Sequence, residues 1–134
     1  MPIFNHHPLH KAIYQKLSED VPLTELITGV FDRSPQGQAY PYITVGESSA
    51  SDWSTLTTSG VEHRIAVHVW SREGGRRQAE LIMERVHALL HDGSLTIEGH
   101  SLVLMRFLSS GISLESDGWT YQGTMRFRAL VESE

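Results

Sequence analysis

Two long stretches of the chain alternate apolar and polar residues with a period of two. In Glu62–Trp70, Ile65, Val67 and Val69 fall on one face, and Arg64, Ala66 and His68 on the other. In Tyr121–Glu132, Tyr121, Gly123, Met125, Phe127, Ala129 and Val131 share a face against Gln122, Thr124, Arg126, Arg128 and Glu132. Alternation of this length is what a sheet with one covered face requires. Between the two strands, Arg76–Leu90 carries Ala79, Ile82, Met83, Val86, Leu89 and Leu90 at helical spacing, a wide apolar stripe. None of these positions resembles a reaction centre. The pattern describes a sheet-and-helix module and points away from enzymology.

The remaining elements follow from punctuation. Leu9, Ala12, Ile13 and Leu17 share a helical face, which predicts a first helix over Pro8–Ser18 with Pro8 in its first turn. Pro22 is expected to open a short second helix, Leu23–Thr28, with Gly29 as its C′ residue. A loop spans Asp32–Ala39, and a strand Tyr42–Glu47 follows Pro41. Ser48–Gly60 holds five Ser and three Thr, with Trp53 and Leu56 among them. It reads as a long hairpin tip joining two antiparallel strands, poorly packed in a free monomer because it has little to bury. Asp92-Gly93 stops the third helix, Leu95–Ile97 and Leu102–Leu108 are expected to pair across Gly99, and Asp117-Gly118 turns the chain into the last strand. The fold class is α+β: a single two-layer domain over residues 1–134, with a mostly antiparallel sheet of four or five strands and two main helices packed on one face.

Composition narrows the function. A chain of 134 residues is long enough to bury about 68% of its unfolded surface. With no cysteine there is no thiolate nucleophile, disulfide or Cys-ligated metal. The stretch Met1–Pro8 has neither a basic nor an apolar region of the kind a signal peptide needs, and no apolar run approaches a membrane span. A net charge of −5 argues against non-specific nucleic-acid binding, the one dense basic spot being Arg72, Arg76 and Arg77.

The eight histidines invite a metal reading. His87 and His91, and also His6 and His10, stand at i, i+4, but a zinc site needs more ligands than either pair supplies. Helix-end residues favoured by the dipole are the simpler account of His87 and His91. Gly74-Gly75-Arg76-Arg77 lacks phosphate-loop spacing and reads as a strand-to-helix turn. Glu47 and Asp52 flank the Ser-rich segment, and Glu84 and Arg85 lie on the polar face of the third helix; all four are expected to be solvated. Trp70 is expected to pack under the sheet edge. Trp53 and Trp119 lie in turn-like polar sequence, where an aromatic serves either as a contact anchor or as a tucked-in loop residue.

Several segments together resemble the tail-completion, or tail terminator, proteins of long-tailed phages, prophages and gene transfer agents. They are Pro8-Leu9-His10-Lys11-Ala12-Ile13-Tyr14, Ala39-Tyr40-Pro41-Tyr42-Ile43, His68-Val69-Trp70-Ser71-Arg72-Glu73-Gly74-Gly75, Leu89-Leu90-His91-Asp92, and Asp117-Gly118-Trp119-Thr120-Tyr121-Gln122-Gly123 with Phe127-Arg128. The resemblance implies a structural protein without catalytic residues or cofactor. It implies a ring of six subunits at the head–tail junction of a phage-like particle, assembled in the cytoplasm. The ring would contact the tail tube protein and the head–tail connector, and DNA would pass through it without specific binding. Candidate subunit or tail contacts are Trp53, Thr55, Leu56, Arg72 and Trp119. The competing expectation is a small metal-dependent or hydrolytic enzyme built on surface histidines.

Overall fold

The computed structural model describes residues 4–133; Met1–Ile3, which belong to the stretch read above for a leader, and Glu134 lie outside it. The elements are α1 (His6–Ser18), α2 (Val21–Thr24), β1 (Val30–Phe31), β2 (Tyr42–Asp52), β3 (Gly60–Ser71), α3 (Arg77–Leu90), β4 (His100–Leu114) and β5 (Tyr121–Ser133). Five strands form one sheet in the order β1-β2-β3-β5-β4, antiparallel except for the parallel β1–β2 pair. The fold is α+β.

The two alternating strands predicted from the sequence lie side by side at the sheet's centre. Their register sets Ile65 opposite Phe127, Val67 opposite Met125 and Val69 opposite Gly123. These side chains meet Leu9, Ile13 and Leu17 of α1 and Ala79, Ile82, Val86 and Leu90 of α3 in one core. α1 lies over β1 and β2, while α3 covers β3, β5 and β4. The other face is open. It carries Arg64, Arg126, Arg128 and Arg106, each beside a carboxylate: Glu62 serves Arg64 and Arg128, Glu47 serves Arg126, and Asp92 serves Arg106.

Four expectations need correction. The second helix spans Val21–Thr24, not Leu23–Thr28. Asp20 caps it, accepting from the Leu23 amide at 3.0 Å, so it starts earlier. It ends early because the chain is already committed to the sheet, with Thr28 N–H donating to Pro41 and Ile43 N–H to Gly29. Gly29 is therefore no C′ residue; a Cβ there would lie 2.7 Å from the Phe31 ring. β2 runs on to Asp52, so Ser48–Asp52 of the Ser-rich segment is paired strand and the hairpin tip is confined to residues 53–59. A bulge between Val45 and Ser48 lets β2 continue, with Gly46 at the point where a Cβ would strike His68 at 2.6 Å. Leu95–Ile97 forms no strand, only a single bridge from Ile97 to His100, whereas β4 runs to Leu114 and pairs with β5. β1 has two residues, too few to show any periodicity.

Arg85 is not a free surface residue. Its guanidinium grips Asp20 with two hydrogen bonds of 2.8 and 2.7 Å, which ties α3 to the cap of α2 and holds the Asp20 carboxyl below its usual range. Asp20→Ala removes both the cap and the tie. It should lower stability by about 1 kcal/mol, at least that of a lost N-cap, in urea unfolding. Asp20→Asn, which keeps the cap acceptor, should recover part of that loss.

Candidate functional site

The candidate contact residues separate into two groups at opposite ends of the sheet. Trp53, Thr55 and Leu56 lie in the β2–β3 turn, beside Gly60 where β3 begins. Arg72 and Trp119 lie where β3 ends and β5 begins, beside the Ser71–Tyr121 pair. The strand between the two groups spans roughly 40 Å at about 3.3 Å per residue.

The β2–β3 turn is closed by its own polar side chains. Trp53 N–H donates to Gly60 and Thr55 N–H to Thr58, both at 2.8 Å. The Thr55 hydroxyl accepts from the amides of Thr57 at 3.4 Å and Thr58 at 3.1 Å. The Ser54 hydroxyl donates to Asp52 at 2.7 Å and accepts from Gly60 N–H at 3.0 Å. Small hydroxyl residues thus build a turn that needs no apolar core. Leu56 is left completely exposed at its tip, and Trp53 is 37% exposed.

At the other end, Arg72 lies between two aromatic rings, 4.1 Å from the centroid of Tyr40 and 4.1 Å from that of Trp119. Its Nε donates to the Thr120 hydroxyl at 2.8 Å, and its terminal nitrogen lies 3.7 Å from Asp117. Asp117 accepts from the backbone N–H groups of Thr120 and Trp119 and from the Thr120 hydroxyl. Those donors, with a smaller contribution from Arg72, hold its carboxyl down to about 2. The Asp117 turn thereby presents Trp119, 57% exposed, with Arg72 stacked on its inner side. Sequence reasoning missed Tyr40, Asp117 and Thr120 as parts of this group. The Asp-Gly-Trp-Thr spelling of a side-chain-closed turn was the available signal. Trp70 lies on the open face rather than under the edge; its indole N–H donates to Thr44 at 3.0 Å and its ring stacks on Tyr42.

The other candidate groups have structural partners. His87 and His91 stack at 4.8 Å, and His91 Nδ1 accepts from the Phe107 amide at 3.0 Å. His6 and His10 both reach the Ser48 hydroxyl, at 2.8 and 3.2 Å. Glu47 pairs with His68 at 3.0 Å as well as with Arg126, so it is not a simply solvated carboxylate. Gly74-Gly75-Arg76 is a turn into α3, with no side-chain cap at Arg76. Among the described residues no group of three or more His, Cys, Asp or Glu is placed to hold a metal ion, and no helix is long and apolar enough to cross a membrane.

Comparison with known proteins gives a consistent result. The chain is 28% identical over 127 residues to Tail completion protein gp17 of Bacillus phage SPP1, covering 93% of this chain and 92% of that protein. The solved structure of bacteriophage SPP1 gp17 superposes with a TM-score of 0.63 at 26% identity, over 90% of this chain and 86% of that one. A chain from the virion of a native gene transfer agent particle superposes with a TM-score of 0.87 at 28% identity, over 93% of this chain and 95% of that one. The family model described as Tail completion protein gp17 matches residues 11–132, nearly the whole chain, and the protein belongs to that family.

Proposed function

We propose that this protein is a structural subunit of a phage-like particle. Six copies close into a ring that terminates the tail tube and joins it to the head connector, after assembly in the cytoplasm. The observation that carries the reading is the near-complete superposition on a chain of a gene transfer agent virion, at a TM-score of 0.87. The two exposed groups suit such a place. Leu56 and Trp53 project from one end of the sheet and Trp119, backed by Arg72, from the other, so a subunit standing along its strands meets one axial partner at each end. We assign these groups to the tail tube protein and the connector.

DNA would pass the ring without being gripped. The net charge is −5, and each arginine of the open sheet face sits against a carboxylate, which removes the free cations that phosphate binding needs. The structural partners of the paired histidines, each other, Ser48 and the Phe107 amide, favour the structural reading over a histidine-based enzyme.

The test is a reconstruction of particles made with and without the gene. The expected result is a ring of this fold at the head–tail junction, and tails without heads in its absence. Particles that join heads to tails normally without the protein would sink the proposal. So would density for it anywhere but the junction.

A further inference from the structure

The end of the sheet that carries the β2–β3 tip also holds a cluster of imidazoles. His63 is fully buried on the helix-covered side of β3, three residues along from Gly60. Its Nε2–H donates to the Asn5 side chain, while its Nδ1 is buried with no hydrogen-bond partner among the described residues. The His6 ring packs edge-on against it, with centroids 5.2 Å apart. His6 Nδ1 and His10 Nε2 both meet the Ser48 hydroxyl of β2, at 2.8 and 3.2 Å. That hydroxyl has one proton to give, so it satisfies an acceptor nitrogen on one ring while the other ring donates to it.

These polar contacts hold the first turn of α1. Asn5 stands at the N-cap position, yet its side chain makes no capping bond and turns to His63 instead. From Leu9 onward, with Ala12, Ile13 and Leu17, the helix is fixed by the core. Ahead of Leu9, Phe4 is 63% exposed.

The surroundings do little to accommodate another positive charge. α1 adds His7 and Lys11, which line the same surface as His6 and His10. Asp32, just after β1, lies 3.7 Å from His10, but its side chain is 89% exposed. Glu98 pairs with Lys11 at 3.7 Å, and His100 lies with His7 in the adjoining pocket. Across the sheet His63 stands opposite Ala50 of β2 and Ala129 of β5, which carry no charge. The N-terminal end of α1 brings the positive pole of its dipole.

We propose that residues 4–8 form an acid-released latch: a proton on His63 detaches the first turn of α1 from β2 and β3 while the sheet stays folded. Docked, the buried ring has no acceptor for a second N–H; released, it meets water. Opening therefore becomes easier as pH falls. Chain ends belong to the low-stability part of a fold, so this turn opens before the core does. The latch grips β2 at Ser48 and β3 at His63, the two strands that carry Trp53 and Leu56 at their tip, so acid loosens the root of that candidate contact. No ring is needed for it.

Amide hydrogen exchange of the free, full-length chain, followed by NMR at pH 7 and pH 5, tests the latch. Leu9 N–H, which donates to the Asn5 carbonyl at 3.3 Å, reports the first turn, and Phe127 N–H in the central strand β5 reports global unfolding. After correction for intrinsic exchange chemistry, opening at Leu9 should rise about twentyfold from pH 7 to pH 5, for a ring held down to about 4 when docked and titrating near 6.5 when free. Opening at Leu9 should be insensitive to low urea, as local opening is, while exchange at Phe127 accelerates with urea. No rise at Leu9 overturns the proposal, and so does a rise that follows urea as Phe127 does. His63→Gln, which takes up no proton, should abolish the rise. Asn5→Asp guards against a His63 variant that fails to fold: a carboxylate in the same place neutralises the proton, and the rise should largely disappear. A full rise retained in a folded form of either variant overturns the assignment to His63.

Discussion

Between pH 7 and pH 4 the protein should lose about 3 kcal/mol of stability through one residue, His63, whose imidazole is held down to about 4. His63 is fully buried on the helix-covered side of β3. Its Nε2–H donates to the Asn5 side chain, and its Nδ1 is buried without a hydrogen-bond partner among the described residues. Protonation at Nδ1 would place an unpaired N–H and a charge in the interior. Burial is the larger reason for the shift; charge on His6, whose ring packs against it at 5.2 Å, and on His10 adds to it. In the unfolded chain the same group titrates near 6.5, its ordinary value. Above about pH 6.5 the stabilisation is complete. As pH falls from there to about 4 the unfolded chain takes up a proton the folded one refuses, and stability falls; below about 4 both forms are protonated and this contribution is flat. His10, also lowered by burial, acts in the same direction. Urea unfolding at pH 7, 6, 5 and 4.5 measures the slope, and His63→Gln should flatten most of it. An unchanged slope in His63→Gln would assign the acid sensitivity elsewhere.

Ile82→Ala should remove about 2–5 kcal/mol, the usual loss for a buried Ile truncation that leaves a cavity. Ile82 is 1% exposed on α3, in the core shared with the sheet. Val86→Ala, also fully buried, should lose somewhat less. Both should lower the yield of folded protein rather than alter a ring contact selectively. Glu84, exposed on the same helix, is the control: Glu84→Ala should change stability by less than about 0.5 kcal/mol. Should Glu84→Ala leave melting untouched yet abolish tail completion, the outer face of α3 lines an interface rather than solvent.

The elements whose pattern repeats several times were legible before the structure. β3 and β5 alternate over a dozen residues and α3 repeats its stripe for four turns, so tertiary context had little to override. The errors fall where few residues carry the signal. α2 is four residues long and its start is decided by the Asp20 cap. β1 is two residues long and exists only because β2 is beside it. Ser48–Asp52 looks like loop by composition, yet it is strand because β3 extends far enough to pair with it. Of the candidate contacts, polar surroundings left Trp53 and Trp119 open between exposed anchor and tucked-in loop residue, and the structure leaves both exposed. The stacking of Arg72 on Trp119 was not readable, because their partnership spans some fifty residues of chain.

Local spacing by itself determined the helix-and-strand content, the covered face of the central strands and the identity of most of the core, because each depends on side-chain period along one element. The order of strands, the pairing of Arg85 with Asp20, the burial of His63 and the two register slips between β4 and β5 were decided only in three dimensions. Each of these depends on which element lies alongside which. A period within one segment carries no information about its neighbour, and a one-residue slip between paired strands decides which side chains remain free to meet another molecule.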